Sequence, residues 1–138
     1  MTDALETTAI HIDRYYECAP AVLWRALTTA DLVAQWWAPG DIKPEVGHAF
    51  QMDMGDWGIQ HCEITEVDPE RRLAYRYAIG VLDSVITWTL EPDGTGTRLY
   101  LEQAGFNLDN PMHKMAYEGM TSGWPAVLQS IERVTVEA

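Results

Sequence analysis

The stretch "NPMHKMAYEGMTSGWPAVLQSIERVTV", residues 110–136, decides how the rest of the chain is arranged. Met112, Met115, Ala116, Met120, Trp124, Val127, Leu128, Ile131 and Val134 recur at i, i+3, i+4 and i+7 positions, the pattern of a long amphipathic helix. Its middle holds Gly123, Trp124 and Pro125, two poor helix formers around the bulkiest side chain. An internal proline removes a backbone hydrogen bond and presses its ring against the carbonyl four residues back, here that of Thr121. A kink or break is therefore expected near Pro125, eased by Gly123, with Trp124 plugging one end of whatever the helix covers.

What the helix covers is read from the segment before it. From Glu45 to Phe106 the apolar residues follow a period of two, interrupted by turn signals at Gly55-Asp56, Asp68-Pro69, Gly80 and the run Pro92 to Gly96. Five strands are expected, at Glu45–Met54, Trp57–Val67, Leu73–Ile79, Ser84–Glu91 and Thr97–Ala104. Connections this short allow only antiparallel pairing, because a parallel pair needs a crossover of about a dozen residues. A further strand precedes them at Thr8–Tyr16, where Ile10 and Ile12 alternate with His11 and Asp13.

Between the first and second strands lie two short helices. Pro20 suits the first helical position, and Val22, Leu23, Ala26 and Leu27 supply an apolar face. Thr29 is a candidate N-cap for the second, whose stripe is Leu32, Val33, Trp36 and Trp37 before Pro39-Gly40 ends it. A sheet with one apolar face needs a cover, and the C-terminal helix is the element long enough to cross most of six strands. The expected fold is α+β, in the order β-α-α-β-β-β-β-β-α, with a curved six-stranded antiparallel sheet gripping the last helix. The whole chain, 1–138, reads as a single domain, with residues 1–7 as a disordered N-terminal tail.

Bulk properties exclude several function classes. A formal charge of −12, from 21 acidic and 9 basic residues, opposes binding to nucleic acid or anionic membranes, and the longest basic run is only Arg71-Arg72. The N-terminus carries acids where a signal peptide carries basic residues, and no run approaches the roughly 20 apolar residues of a membrane span. A cytoplasmic protein without membrane insertion is expected. Cys18 and Cys62 have no metal-ligand spacing and fit reduced thiols. His11, His48, His61 and His113 show no paired spacing either, so no metal is expected. Neither a nucleophile elbow nor a phosphate-binding glycine loop is present, and no cofactor is expected. The acids Asp53, Asp56, Glu63, Glu66, Asp68 and Glu70 read as a solvated outer face.

Particular residues also carry a resemblance. They are Arg14, Ala19-Pro20, "VLWRALTTADLVAQWW" at 22–37, Pro39, "VGHAF" at 46–50, "EVDPERRLAYRY" at 66–77, "GTRLYL" at 96–101 and "GWPAVLQSIE" at 123–132. In order and spacing they resemble the START-like, helix-grip (SRPBCC) superfamily, and within it the domain shared with the activator of Hsp90 ATPase. One departure stands out: where that family commonly has two glycines, this chain has Gly47 followed by His48. The resemblance implies the helix-grip fold and a cavity between the concave sheet face and the C-terminal helix. In the superfamily such a cavity takes lipids, sterols, polyketides or other small apolar molecules.

Alternation places Val46, His48, Phe50, Met52 and Met54 of the second strand, and Ile86, Trp88 and Leu90 of the fifth, toward the helix. Candidate ligand-binding residues are Trp37, His48, Phe50, Met52, His61, Tyr75, Tyr77, Ile86, Trp88 and Leu101, with Met112, Met115, Met120 and Trp124 from the helix. Methionine adapts to varied partners, so a lining of Met and aromatic rings suits a pliable apolar site. The bland reading of the same residues is core filling. The facing of the third strand is left open between Trp57, Ile59 and His61 and the alternate set, because a bulge reverses parity. No residue is assigned as catalytic.

The leading expectation is non-catalytic binding of a small hydrophobic ligand, a lipid, polyketide or aromatic-like molecule. One alternative is a cyclase- or hydratase-type enzyme using a cavity His or Tyr. The other is a chaperone-associated or stress-related interaction protein. Trp36 and Trp37 point about 100° apart on a helix, so one of them is a candidate for a homodimer face.

Overall fold

The computed structural model describes residues 8–137. Strand β1 (Thr8–Tyr16) leads into helices α1 (Pro20–Thr28) and α2 (Ala30–Trp36). Strands β2 (Ala49–Asp53), β3 (Ile59–Asp68), β4 (Arg72–Tyr77), β5 (Ser84–Asp93) and β6 (Gly96–Phe106) follow, and α3 (Pro111–Glu137) closes the order. All neighbouring strands are antiparallel, in the order β1-β6-β5-β4-β3-β2. The first strand therefore pairs with the last, and the α1–α2 pair carries the chain from one edge of the sheet to the other. This is the α+β helix-grip arrangement expected from the sequence. The tail assigned to residues 1–7 lies outside the described residues.

Local chemistry accounts for the boundaries. Pro20 opens α1, and Thr29 ends it and serves as the N-cap residue of α2. The threonine hydroxyl makes no capping bond, so its role there is one of backbone position alone. Asn110 does cap α3: its Oδ1 accepts from the backbone N–H groups of Met112 at 2.9 Å and His113 at 3.4 Å.

The second strand is shorter than its alternation suggests. Gly47 adopts φ +90°, and His48 N–H donates to the Glu45 carbonyl oxygen at 3.0 Å, so residues 45–48 form a turn. Val46, expected on the inner face, is consequently 67% exposed. Trp57 is not strand either but ends a 3-10 turn, Gly55–Trp57. In β3 a register shift between Ile64 and Glu66 is the bulge that made facing ambiguous. Before it Cys62 and Ile64 are buried, and His61 is exposed on the other face.

Helix α3 runs unbroken through Pro125, which corrects the expected break. Along its C-terminal half Trp124, Leu128, Ile131 and Val134 are buried against the sheet and against Leu23, Leu27 and Val33 of the short helices. Tyr16 Oη donates to the Leu128 carbonyl oxygen at 2.8 Å, tying β1 to the helix. The acids read as a solvated face include three held in exposed ion pairs across or beside the sheet: Glu63 with Arg76, Glu66 with Arg72 and Asp68 with Arg71. Cys18 and Cys62 are both free.

Candidate functional site

The N-terminal half of α3 leaves a gap where the C-terminal half packs tightly. A pocket of about 490 Å³ lies there, closed by α3 on one side and by β3, β4 and the turns around them on the other. Along the helix, Met112, Met115, Ala116, Gly119, Met120, Gly123, Trp124 and Val127 line it, a continuous stripe at helical spacing. Gly119 and Gly123 are one turn apart, and a Cβ built on either meets nothing within 4 Å. The two glycines thus hold space open in the wall.

Opposite the stripe stand Tyr77 and Gln60 from the sheet and Trp37 from the end of α2. Trp37 stacks on Tyr77 with ring centroids 5.5 Å apart and an interplanar angle of 26°, and lies 5.2 Å from the Trp124 ring. The 3-10 turn adds Met54 and Trp57 to the rim, and the turn after β4 adds Ala78, Val81 and Leu82. Trp57 is 65% exposed and Met115 54%, so the pocket opens to solvent between these two elements.

Polar groups in the wall are few. Trp124 is fixed from behind: its Nε1–H donates to Gln103 Oε1 at 3.0 Å, and Gln103 Nε2 donates to Ser84 Oγ at 3.1 Å. Gln60 Nε2 donates to the Trp57 carbonyl oxygen at 2.8 Å, while its Oε1 is sealed from solvent without a donor among the described residues. Burial raises the pKa of the Tyr77 hydroxyl well above the usual phenol value, so it is a neutral donor at physiological pH. No Asp, Glu, Lys, Arg or His is among the described residues that line the pocket.

Six of the sequence candidates meet here: Trp37, Tyr77, Met112, Met115, Met120 and Trp124. Phe50, Met52, Tyr75, Ile86, Trp88 and Leu101 face the same side of the sheet but are sealed into the core behind it. Trp88 donates its Nε1–H to Tyr75 Oη at 2.9 Å, so two of these candidates satisfy each other. The histidines are elsewhere. His48 stacks on Phe50, with centroids 6.1 Å apart, and its Nε2 donates to the Asp41 carbonyl oxygen at 2.8 Å. His61 is exposed on the opposite face, paired in register with Gln51. Neither lines the pocket.

The sequence pattern places Ala116 and Val127 on the helical stripe without making them ligand-binding candidates, leaves Gly119 unremarked and reads Gly123 only as easing a bend, yet all four line the pocket. A preference for bulky side chains hid them. For Val81 and Leu82, in a turn with Ala78 and Asp83 at positive φ, the local sequence offers no signal.

The comparisons with known proteins agree with the fold. The profile of the family described as "Activator of Hsp90 ATPase homolog 1-like protein" matches residues 17–135. No curated protein matches. Among solved structures, protein MLL2253 from Mesorhizobium loti is 36% identical with a TM-score of 0.84, over 95% of this chain and 98% of that one. CalU16 from Micromonospora echinospora is similar at 23% identity and TM-score 0.76, over 97% of this chain and 80% of its own. DynU16, a protein in the dynemicin biosynthetic locus, is similar at 21% identity and TM-score 0.77, over 91% of this chain and 46% of its own. At these lower identities the likeness concerns the fold. The profile match over most of the chain, together with the Mesorhizobium protein, decides the family: the chain belongs to the activator of Hsp90 ATPase homolog 1-like proteins.

Proposed function

We propose that the chain binds a small apolar molecule in the pocket between α3 and the β3–β4 side of the sheet, and that it does so without catalysing a reaction. The observation that carries this reading is the mouth of the pocket, where Trp57, Val81, Met112 and Met115 are each at least about two-fifths exposed. Large apolar side chains from three separate elements converge on one opening, an arrangement that gains free energy only when something covers it. The volume of about 490 Å³ falls in the range of small-molecule sites. The fold shared with DynU16, a protein in a biosynthetic locus, is in keeping with a small-molecule ligand.

The non-catalytic part rests on the chemistry of the wall. Its titratable side chain among the described residues is Tyr77, which burial holds protonated, and among those residues no second acid or base stands beside it in the lining to exchange a proton. His48 and His61 lie outside the pocket, which removes support from the histidine version of the enzyme reading.

Thermal unfolding of the wild type and of Gly123→Leu with a library of apolar compounds tests the proposal. A ligand that binds the native state raises Tm by mass action. The leucine side chain, entering open space, is expected to occupy part of the pocket and reduce the shift while the protein stays folded. A library that shifts neither protein, or both equally, rejects the pocket as the site.

A further inference from the structure

We infer that the pocket selects an uncharged ligand bearing a hydrogen-bond acceptor such as a ketone or quinone oxygen, and that the Tyr77 hydroxyl is the group that recognises it. The inference rests on the binding reading above and narrows it to a ligand class. Its starting point is where the donors of the aromatic residues go. Trp36, Trp88 and Trp124 donate their indole N–H groups to Ala26, Tyr75 and Gln103 inside the core. Tyr16 and Tyr75 likewise have hydroxyl partners, the Leu128 carbonyl and the Trp88 N–H.

Tyr77 differs. It is only 4% exposed, yet its hydroxyl forms no hydrogen bond among the described residues, and it is not one of the side-chain atoms sealed from solvent without a partner. An unpaired hydroxyl that is still accessible on a buried ring faces the space that ring lines, which is the pocket. The indole N–H of Trp37, stacked on the Tyr77 ring, also lacks a partner among the described residues. Gln60, which would supply a competing acceptor, has its Oε1 sealed away.

Among the described residues the Tyr77 hydroxyl and the Trp37 indole are thus the donors left to a ligand, and the one acceptor still accessible beside them is the Tyr77 oxygen itself. A ligand that displaces water from this hydroxyl without replacing its hydrogen bond leaves a buried donor orphaned, so a ligand oxygen that accepts from Tyr77 is favoured over an apolar isostere. A carboxylate would also accept, but it would enter an apolar wall without a cationic partner, on a chain of formal charge −12. Recognition by Tyr77 and exclusion of charge together define the class.

The test compares three flat probes of similar size by calorimetric titration: 9-fluorenone, fluorene and 9-fluorenecarboxylate. Wild type is expected to bind fluorenone roughly tenfold more tightly than fluorene, and the carboxylate more weakly than fluorenone. Tyr77→Phe keeps the ring and its stacking on Trp37 while removing the hydroxyl, so it should erase the preference for the ketone over fluorene. The fluorenone carbonyl stretch supplies a readout that needs no variant: it should move to lower frequency on binding to wild type, as a donated hydrogen bond requires. Equal binding of fluorene and fluorenone, an unshifted carbonyl stretch, or carboxylate binding as tight as ketone binding overturns the inference while leaving the pocket a binding site. If none of the three binds, the binding reading falls and this one with it.

Discussion

The indole of Trp124 donates to Gln103 Oε1 at 3.0 Å, with both side chains buried, so the helix is keyed to β6 by a hydrogen bond inside the core. Gln103 directs its Nε2 to Ser84 Oγ and to Met120 Sδ at 3.3 Å, which makes it the hub behind the pocket wall. Replacing it with an apolar side chain orphans the Trp124 N–H and leaves the Ser84 hydroxyl with its bond to the Tyr77 carbonyl oxygen alone. Gln103→Leu is expected to lower stability by about 1–3 kcal/mol in urea unfolding. Trp124→Phe should cost less in the Gln103→Leu background than in wild type, and a double-mutant cycle measures that coupling.

The two pocket glycines predict a gain. Gly119 sits mid-helix, where glycine loses more backbone freedom on folding than alanine does, and a Cβ there meets nothing. Gly119→Ala should raise stability by about 0.5–1 kcal/mol, read as a higher Tm. A loss instead would mean that the added methyl group encounters a neighbour and that the pocket is narrower than its geometry indicates.

Rim residues should behave in the opposite way, affecting binding and not folding. Trp57 and Met115 are more than half exposed and contribute little to the core. Trp57→Ser and Met115→Ser are each expected to leave stability within about 0.5 kcal/mol of wild type. Each should weaken fluorene binding by on the order of 1 kcal/mol, the apolar area no longer covered. Parallel melting and titration of the same samples separates the two effects.

How much of this the sequence made legible follows from what each pattern physically encodes. The period-two alternation from Leu73 to Leu101 and the 3.6 period of the last helix report which side faces apolar surroundings, and those faces are the ones observed. Facing is not the same as lining. Tyr75 and Tyr77 share a strand and a parity, yet Tyr75 is sealed against Trp88 while Tyr77 borders open space. That difference depends on where α3 stands off from the sheet, a tertiary distance with no local signature. Gly123 shows the complementary error: read as easing a bend, it instead has its missing side chain facing the pocket.

Alkaline stability should be limited by groups that burial keeps protonated. Burial pushes the Cys62 thiol from 9.0 up to about 11, and the Tyr16, Tyr75 and Tyr77 hydroxyls move in the same direction for the same cause. The native state therefore holds these protons more tightly than the unfolded chain does. For Cys62 the resulting stabilisation is complete below about pH 9 and is lost as pH rises through about 11, with the tyrosines extending the loss further. Equilibrium unfolding at stepped pH should show falling stability across this window. Cys62→Val should flatten the first part of the decline, and the tyrosinate absorbance that Tyr16, Tyr75 and Tyr77 contribute should appear together with unfolding.

Pro125 provides the last prediction. The helix is continuous around it and the residue is exposed, so its cost is the hydrogen bond its nitrogen cannot give to the Thr121 carbonyl, together with the ring's crowding of that turn. An alanine at an interior helix position is more favourable than proline by about 3 kcal/mol. Against this, proline restricts the unfolded chain and so contributes about 0.4–1 kcal/mol of stability that alanine forfeits. The difference puts Pro125→Ala at a net gain of about 2 kcal/mol, read from urea unfolding, with the emission maximum of the buried tryptophans unchanged. A red-shifted emission or a lower stability would instead assign Pro125 the task of shaping the helix, because relieving it would then have withdrawn Trp124 from its contact with Gln103.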